Sequence, residues 1–154
     1  MLLMIASAVL AWGGAPVTPL PTVPGKANPN VTQANIRQTI CVPLWTSKVR
    51  PPTSYTNKIK FALMDAQHYP RADVRQFELD HALPIEDGGD PSSPQNLWLQ
   101  PYRGEYCTQW CSQDKDVLET LLKRLVCKGA IPLAEAQHEL QTDWVAAYKL
   151  RVHK

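Results

Sequence analysis

Strong charge of either sign is missing from this 154-residue sequence: 16 Lys and Arg stand against 14 Asp and Glu, a formal net of +2. So weak a field does not by itself draw in nucleic acid, and any grip on phosphate must come from a local patch. Also missing is an apolar run of the roughly 20 residues that a bilayer crossing takes. Met1–Ala15 (MLLMIASAVLAWGGA) is uncharged, but its apolar stretch is only about a dozen residues long. Internal repeats are absent, and no histidine falls between His81 and His138. What is present, 44% hydrophobic and 19% charged residues, suits an ordinary folded core rather than a disordered chain. The length allows one compact domain plus a leader.

The apolar start, closing on Gly13, Gly14 and Ala15, predicts a secretory signal peptide over residues 1–15, although no Lys or Arg precedes it. The rival reading is a buried amino-terminal helix. Export places the mature protein outside the cell or in a periplasm, with no membrane span left after cleavage. In such an oxidising compartment an even cysteine count reads as disulfides. Of the three ways to pair Cys41, Cys107, Cys111 and Cys127, Cys41–Cys127 with Cys107–Cys111 is favoured. The second pair is close in sequence and could lie one helical turn apart. A structural zinc is the weaker alternative, since only one close Cys pair exists.

Residues 16–30 (PVTPLPTVPGKANPN) read as a flexible proline-rich linker, leaving residues 31–154 as the domain proper. Cys41–Trp45 suggests a short strand or anchored turn. Asn57 is placed to cap a helix running to about Gln67. Val74–Asp80 alternates as a strand, a Gly-Gly and Pro-rich loop follows, and Leu97–Leu99 forms a second short strand. Asp114–Cys127 carries an apolar stripe (Val117, Leu118, Leu121, Leu122, Leu125, Val126) that Gly129 terminates. A last helix, Pro132–Leu150, buries Leu133, Ala136, Leu140, Trp144 and Tyr148. This order predicts an α+β fold: two short antiparallel strands and a helix, with flanking helices.

The chemistry concentrates in FELDHALPIEDGGDPSSPQNLWLQP, residues Phe77 to Pro101. Asp80 offers hard oxygen to a divalent cation. His81, with an ordinary pKa of about 6.5, can take a proton from water near neutral pH. Successive strand residues point to opposite faces, so both can serve one site only if the strand ends or bends there. Asn96, entering the second strand, is suited to hold the loop and orient the imidazole through a backbone contact. Asp116 and Glu119 sit one helical turn apart and are the candidate further metal ligands, with Glu105 behind them. Either could equally be a charge that the helix dipole favours near its amino end. Glu86, Asp87 and Asp90 read as solvated loop acids; Trp98, Trp110 and Trp144 as core or rim aromatics; His68, His138 and His153 as surface or capping residues. Arg50, Lys58 and Arg75, with Lys48, Lys60 and Arg71, surround the motif and could line a phosphate-binding face, though their plainer reading is as solvated charges.

At this stretch the sequence resembles the HNH endonuclease superfamily, and more closely a family of small exported bacterial HNH-like proteins. The matching residues are Asp80-His81, Pro84, Gly88-Gly89, Asn96-Leu97-Trp98, Lys115-Asp116, Glu119, Val126-Cys127 and Gly129. Ile40–Pro52 (ICVPLWTSKVRPP), Leu133–Gln137 (LAEAQ) and Trp144 extend the likeness over roughly Thr39 to Tyr148. The resemblance implies a ββα-metal core and a metal-dependent nuclease, with Asp80 a ligand, His81 the general base and Asn96 the middle Asn. It also implies a divalent ion, magnesium or manganese ahead of zinc, and DNA or RNA as partner. One departure stands out: where a third-position His is usual, this chain has Glu105. That departure sustains a second expectation, a catalytically silent, disulfide-stapled secreted binding module on the same scaffold. A hydrolase acting on another material, such as cell wall, finds no support in the motif.

Overall fold

The computed structural model describes residues 19–152. The expected signal peptide, the linker start before Pro19, and His153 lie outside them. The chain is mixed helix and sheet, as an α+β fold requires: α1 (Trp45–Val49), α2 (Thr53–Ala66), β1 (Phe77–His81), β2 (Leu97–Pro101), α3 (Ser112–Lys128) and α4 (Leu133–Arg151). Short 3-10 turns cover Gln33–Gln38, Arg71–Gln76 and Ile85–Asp87.

Proline sets several boundaries. Pro52, extended at ψ 149°, is the N-cap of α2, so that helix starts ahead of the expected Asn57 cap and ends at Ala66. A proline ring lacks the N–H that an N-terminal turn would leave unpaired anyway. The residues after Pro70 turn as a 3-10 helix over Arg71–Gln76, so only the end of the expected Val74–Asp80 strand is extended. Cys41–Trp45 is a turn leading into α1, not a strand.

β1 and β2 pair antiparallel, with Glu78 opposite Gln100, Asp80 opposite Trp98 and His81 opposite Leu97. Directly opposed residues share a face. One face carries Phe77 and Leu99, which pack with Met64 of α2 in a small core edged by Tyr69 and Tyr106. The other carries Glu78, Asp80, Trp98 and Gln100, and Lys115 of α3 reaches it. The main core lies between α3 and α4: Leu118, Leu122 and Val126 against Leu133, Ala136, Leu140 and Trp144, closed by Ile36, Ile40 and Leu83. The α3 stripe is narrower than its apolar residues suggest. Lys115 and Glu119 take inward places, while Val117 is left 48% exposed and Leu121 and Leu125 are half-buried. Tyr148 is likewise only half-buried, its expected place taken by Val145 and Ala147. Asp143 has non-helical φ/ψ and kinks α4, its carboxylate accepting from the Ala146 N–H.

The described part of the proline-rich segment is anchored rather than free. Gly25 and Lys26 donate to the Gln95 carbonyl, Asn28 donates to Gly88, and Trp144 Nε1 donates to the Pro19 carbonyl. Both disulfides form in the favoured pairing, Cys41–Cys127 and Cys107–Cys111. The short one does not lie along a helix, because Cys111 is the N-cap of α3 and Cys107 precedes it in the loop. Such bridges persist in oxidising surroundings. Among the described residues no helix is long and apolar enough to cross a membrane.

The two bridges close loops of very different size, with sequence separations of 86 and 4. Replacing Cys41 and Cys127 by Ser is expected to cost about 4–5 kcal/mol, against about 2 kcal/mol for Cys107 and Cys111, if chain entropy governs both. Urea unfolding of the two double variants under non-reducing conditions checks this; equal losses would contradict it.

Candidate functional site

The site starts from the geometry of the loop between the strands. Asn96 is wholly buried, and its side chain spans that loop: Oδ1 accepts from the Leu83 N–H at 2.8 Å, while Nδ2 donates to the carbonyls of Leu83 at 2.9 Å and Asp90 at 2.8 Å. The turn passes so close that a Cβ on Gly89 would sit 1.8 Å from the Leu83 oxygen, and Gly88 adopts φ +86°. Only glycine fits both demands. Asp90 then folds the next turn, its Oδ1 accepting from the Ser92 and Ser93 N–H groups. The result places the Pro91 carbonyl 3.0 Å from His81 Nε2.

That contact sets the tautomer. A carbonyl only accepts, so the neutral ring carries its hydrogen on Nε2 and leaves Nδ1 as the nitrogen able to take a proton. Burial depresses the His81 pKa below its ordinary value, against the opposing effects of the Pro91 bond and Asp80; Arg50 and Lys115 add to the lowering. The imidazole is therefore neutral near neutral pH. It is only 4% exposed, yet it lines a cleft with Asp80, Asp116, Glu119, Thr46 and Arg50. The strand ends at His81, which lets both members of the Asp-His pair reach that cleft, as the face argument requires.

At the centre of the cluster is Lys115, whose side chain is 0% exposed. Its ammonium has three N–H donors and meets three acceptors: Asp80 Oδ2 at 2.8 Å, Glu119 Oε1 at 2.6 Å and the His81 carbonyl at 2.8 Å. Burial alone would lower the lysine pKa, but Asp80 and Glu119 outweigh it and keep the ammonium charged. Trp98, opposite Asp80 in the ladder, adds a bond from Nε1 to the same Asp80 oxygen at 3.3 Å.

One ammonium does not neutralise the acids around it. Burial, with Asp80 and Asp116 nearby, pushes Glu78 up to about 7. Glu119 is pushed up to about 8 by burial, against the pull of Lys115 and with the help of Asp80 and Asp116. Asp116 at the exposed lip rises through partial burial and the charge of Asp80. Asp87, expected as a solvated loop acid, is instead fully buried with both carboxylate oxygens unpartnered, and its pKa rises well above the ordinary range through burial and the charges of Glu119 and Glu86. Glu86 lines the cleft and pairs with Lys123 at 3.1 Å.

Among the described residues no three His, Cys, Asp or Glu side chains converge as a ready ligand cage. One oxygen of Asp80 and one of Glu119 are engaged by Lys115. What the cleft does offer is surplus carboxylate at Asp80, Asp116 and Glu119. This suits a magnesium-like ion, which is commonly held by one or two carboxylates and completes its shell with water and substrate phosphate. Zinc in a closed tetrahedral site prefers His and Cys ligands, which this donor set lacks.

Of the sequence candidates, Asp80, His81, Asp116, Glu119 and Arg50 meet at the cleft, with Asn96 behind it. Lys58 on α2, Arg75 in the 3-10 turn and Glu105, which accepts from Gln76 at 3.4 Å, lie outside its lining. The residue whose role went unread is Lys115. Its i,i+4 spacing to Glu119 was a visible signal, but nothing local in the sequence brings Asp80 to it. Comparison with family models, with curated proteins and with solved structures gives no match.

Two substitutions probe this scaffold. Lys115→Met strands two buried carboxylates and is expected to cost about 3–5 kcal/mol of stability. Asn96→Ala removes three hydrogen bonds, two of them fully buried, and is expected to cost about 3 kcal/mol. Urea denaturation measures both; a Lys115→Met protein as stable as the parent would show that the ammonium does not hold the cluster together.

Proposed function

We propose that this protein is a metal-dependent endonuclease that hydrolyses phosphodiester bonds of DNA, and of RNA as a second substrate, with little sequence preference. The observation that carries the reading is the His81 imidazole, fixed by the Pro91 carbonyl, lining one cleft with Asp80, Asp116 and Glu119. The resemblance of the Asp80–Trp98 stretch to HNH nucleases agrees with it. Secretion fits the two disulfides and the apolar leader.

In this mechanism His81 Nδ1 accepts a proton from the attacking water, and the Pro91 carbonyl stabilises the imidazolium through Nε2–H. The Asn96 bonds keep the loop, and so the ring, from turning away. Asp80, Asp116 and Glu119 are the side chains that would hold the divalent ion. When bound, the ion polarises the phosphate and stabilises the leaving oxygen. Lys115 fixes the Asp80 and Glu119 carboxylates in place, and Arg50 on the facing wall can pair with a phosphate oxygen.

A second reading, a silent binding module, draws on one observation: Lys115 already engages both Asp80 and Glu119. Supercoiled plasmid separates the two. The purified protein is expected to nick it in magnesium or manganese and to stop when chelator is added. His81→Ala is expected to lose about 10²–10⁴-fold in rate, the usual weight of a general base. Cleavage that ignores chelator, or a His81→Ala protein with full activity, would sink the proposed mechanism. No cleavage under any condition would favour the binding module.

A further inference from the structure

We infer that the groove running from the cleft along the exposed side of α3 is a subsite for single-stranded nucleic acid, with Arg124 on a backbone phosphate and Val117 and Leu121 beneath an unpaired base. The inference rests on the proposed nuclease reading and says which form of substrate the same site takes.

The groove is continuous with the cleft, because Asp116 and Thr120 line both. Asp116, Thr120 and Arg124 follow one another at i, i+4 and i+8, a ridge of just over two helical turns covering about 12 Å. A strand whose scissile phosphate lies at His81 can therefore run along α3 and place a neighbouring phosphate by Arg124. Arg124 is exposed and makes no ion pair or hydrogen bond among the described residues. Of the two guanidinium groups lining the groove, Arg151 is held by Glu135 and Glu139. Arg124 is thus the guanidinium within the groove left for an external anion.

The wall beside it is apolar, built from Val117, 48% exposed, with half-buried Leu121 and Val152. Neither Val117 nor Leu121 is drawn fully into the core between α3 and α4. A duplex turns phosphate and sugar toward a surface of this kind and gains little from an apolar strip. An unpaired base exposes its faces, and covering one of them with an aliphatic surface removes apolar area from water. Arg124 and the apolar wall together therefore favour a single strand. Asp116 at the junction repels phosphate, so the strand is expected to bind better with a divalent ion present.

The test is fluorescence anisotropy in magnesium with a labelled 20-mer, single-stranded or duplex, using His81→Ala protein so that nothing is cut. The single strand is expected to bind more tightly. In that background Arg124→Gln is expected to weaken single-strand binding about fivefold, the weight of one exposed charge contact. The slope of log affinity against log salt should fall in magnitude by about 0.7, one phosphate contact on a single strand. Val117→Ser should narrow the preference over duplex while leaving that slope unchanged. Thermal melting of each variant, expected to match the parent, shows that the fold is retained. Equal affinity for duplex, or an Arg124→Gln protein with unaltered affinity and slope, overturns the subsite. Failure here beside plasmid cleavage by the parent leaves the nuclease reading standing; strand binding without cleavage removes that reading and keeps the subsite.

Discussion

A single buried ammonium organises this protein's polar interior. Lys115 emerges from α3 with no access to water and uses each of its three hydrogens: on Asp80 from the sheet, on Glu119 one turn along its own helix, and on the carbonyl of His81. The cost of burying a charge is large unless partners meet it on every side, and here they do. Because one acceptor is the backbone of His81 itself, the same contact that neutralises the lysine holds the end of β1 against the helix. The strand end, the helix and the imidazole cannot shift independently.

Around that point the two faces of the small sheet have divided their work. Phe77 and Leu99 pack with Met64 of α2 as an ordinary apolar core. Glu78, Asp80 and Gln100 turn the other way, into a layer richer in carboxylate than one lysine can balance. An interior of this composition is a poor way to gain stability. It makes sense as a place where negative charge is kept close to an imidazole whose own pKa burial has depressed.

Much of this was legible in the chain, and the reasons are local. The Asp-His pair, the Gly-Gly turn and Asn96 each demand a particular backbone, so their spacing anticipates the loop that joins the strands. The disulfide pairing followed from proximity in sequence, even though the short bridge lies beside the helix rather than along it. Less legible were features that depend on what a residue meets across the fold. Asp87 sits among loop residues that look solvated, and only the packing of the surrounding chain buries it. The α2 start was misplaced because Asn57 resembles a cap, while Pro52 already supplies the extended entry. The α3 stripe looked uniform because periodicity weighs Val117 and Leu118 alike, yet only Leu118 of the two is buried in the core.

The far wall of the cleft has a different origin from its floor. α1, which ends just before Arg50, contains no fully buried residue, and the segment leading into it is tied to the last turns of α3 through Cys41 and Cys127. Asp80 and His81 are set by ladder pairing and by the bonds to Lys115. The wall bearing Thr46 and Arg50 is secured by a covalent link to a residue made 86 positions later. That wall therefore depends on an electron acceptor as well as on packing: under reducing conditions its covalent tie to α3 is gone, while the contacts that hold Asp80 and His81 remain.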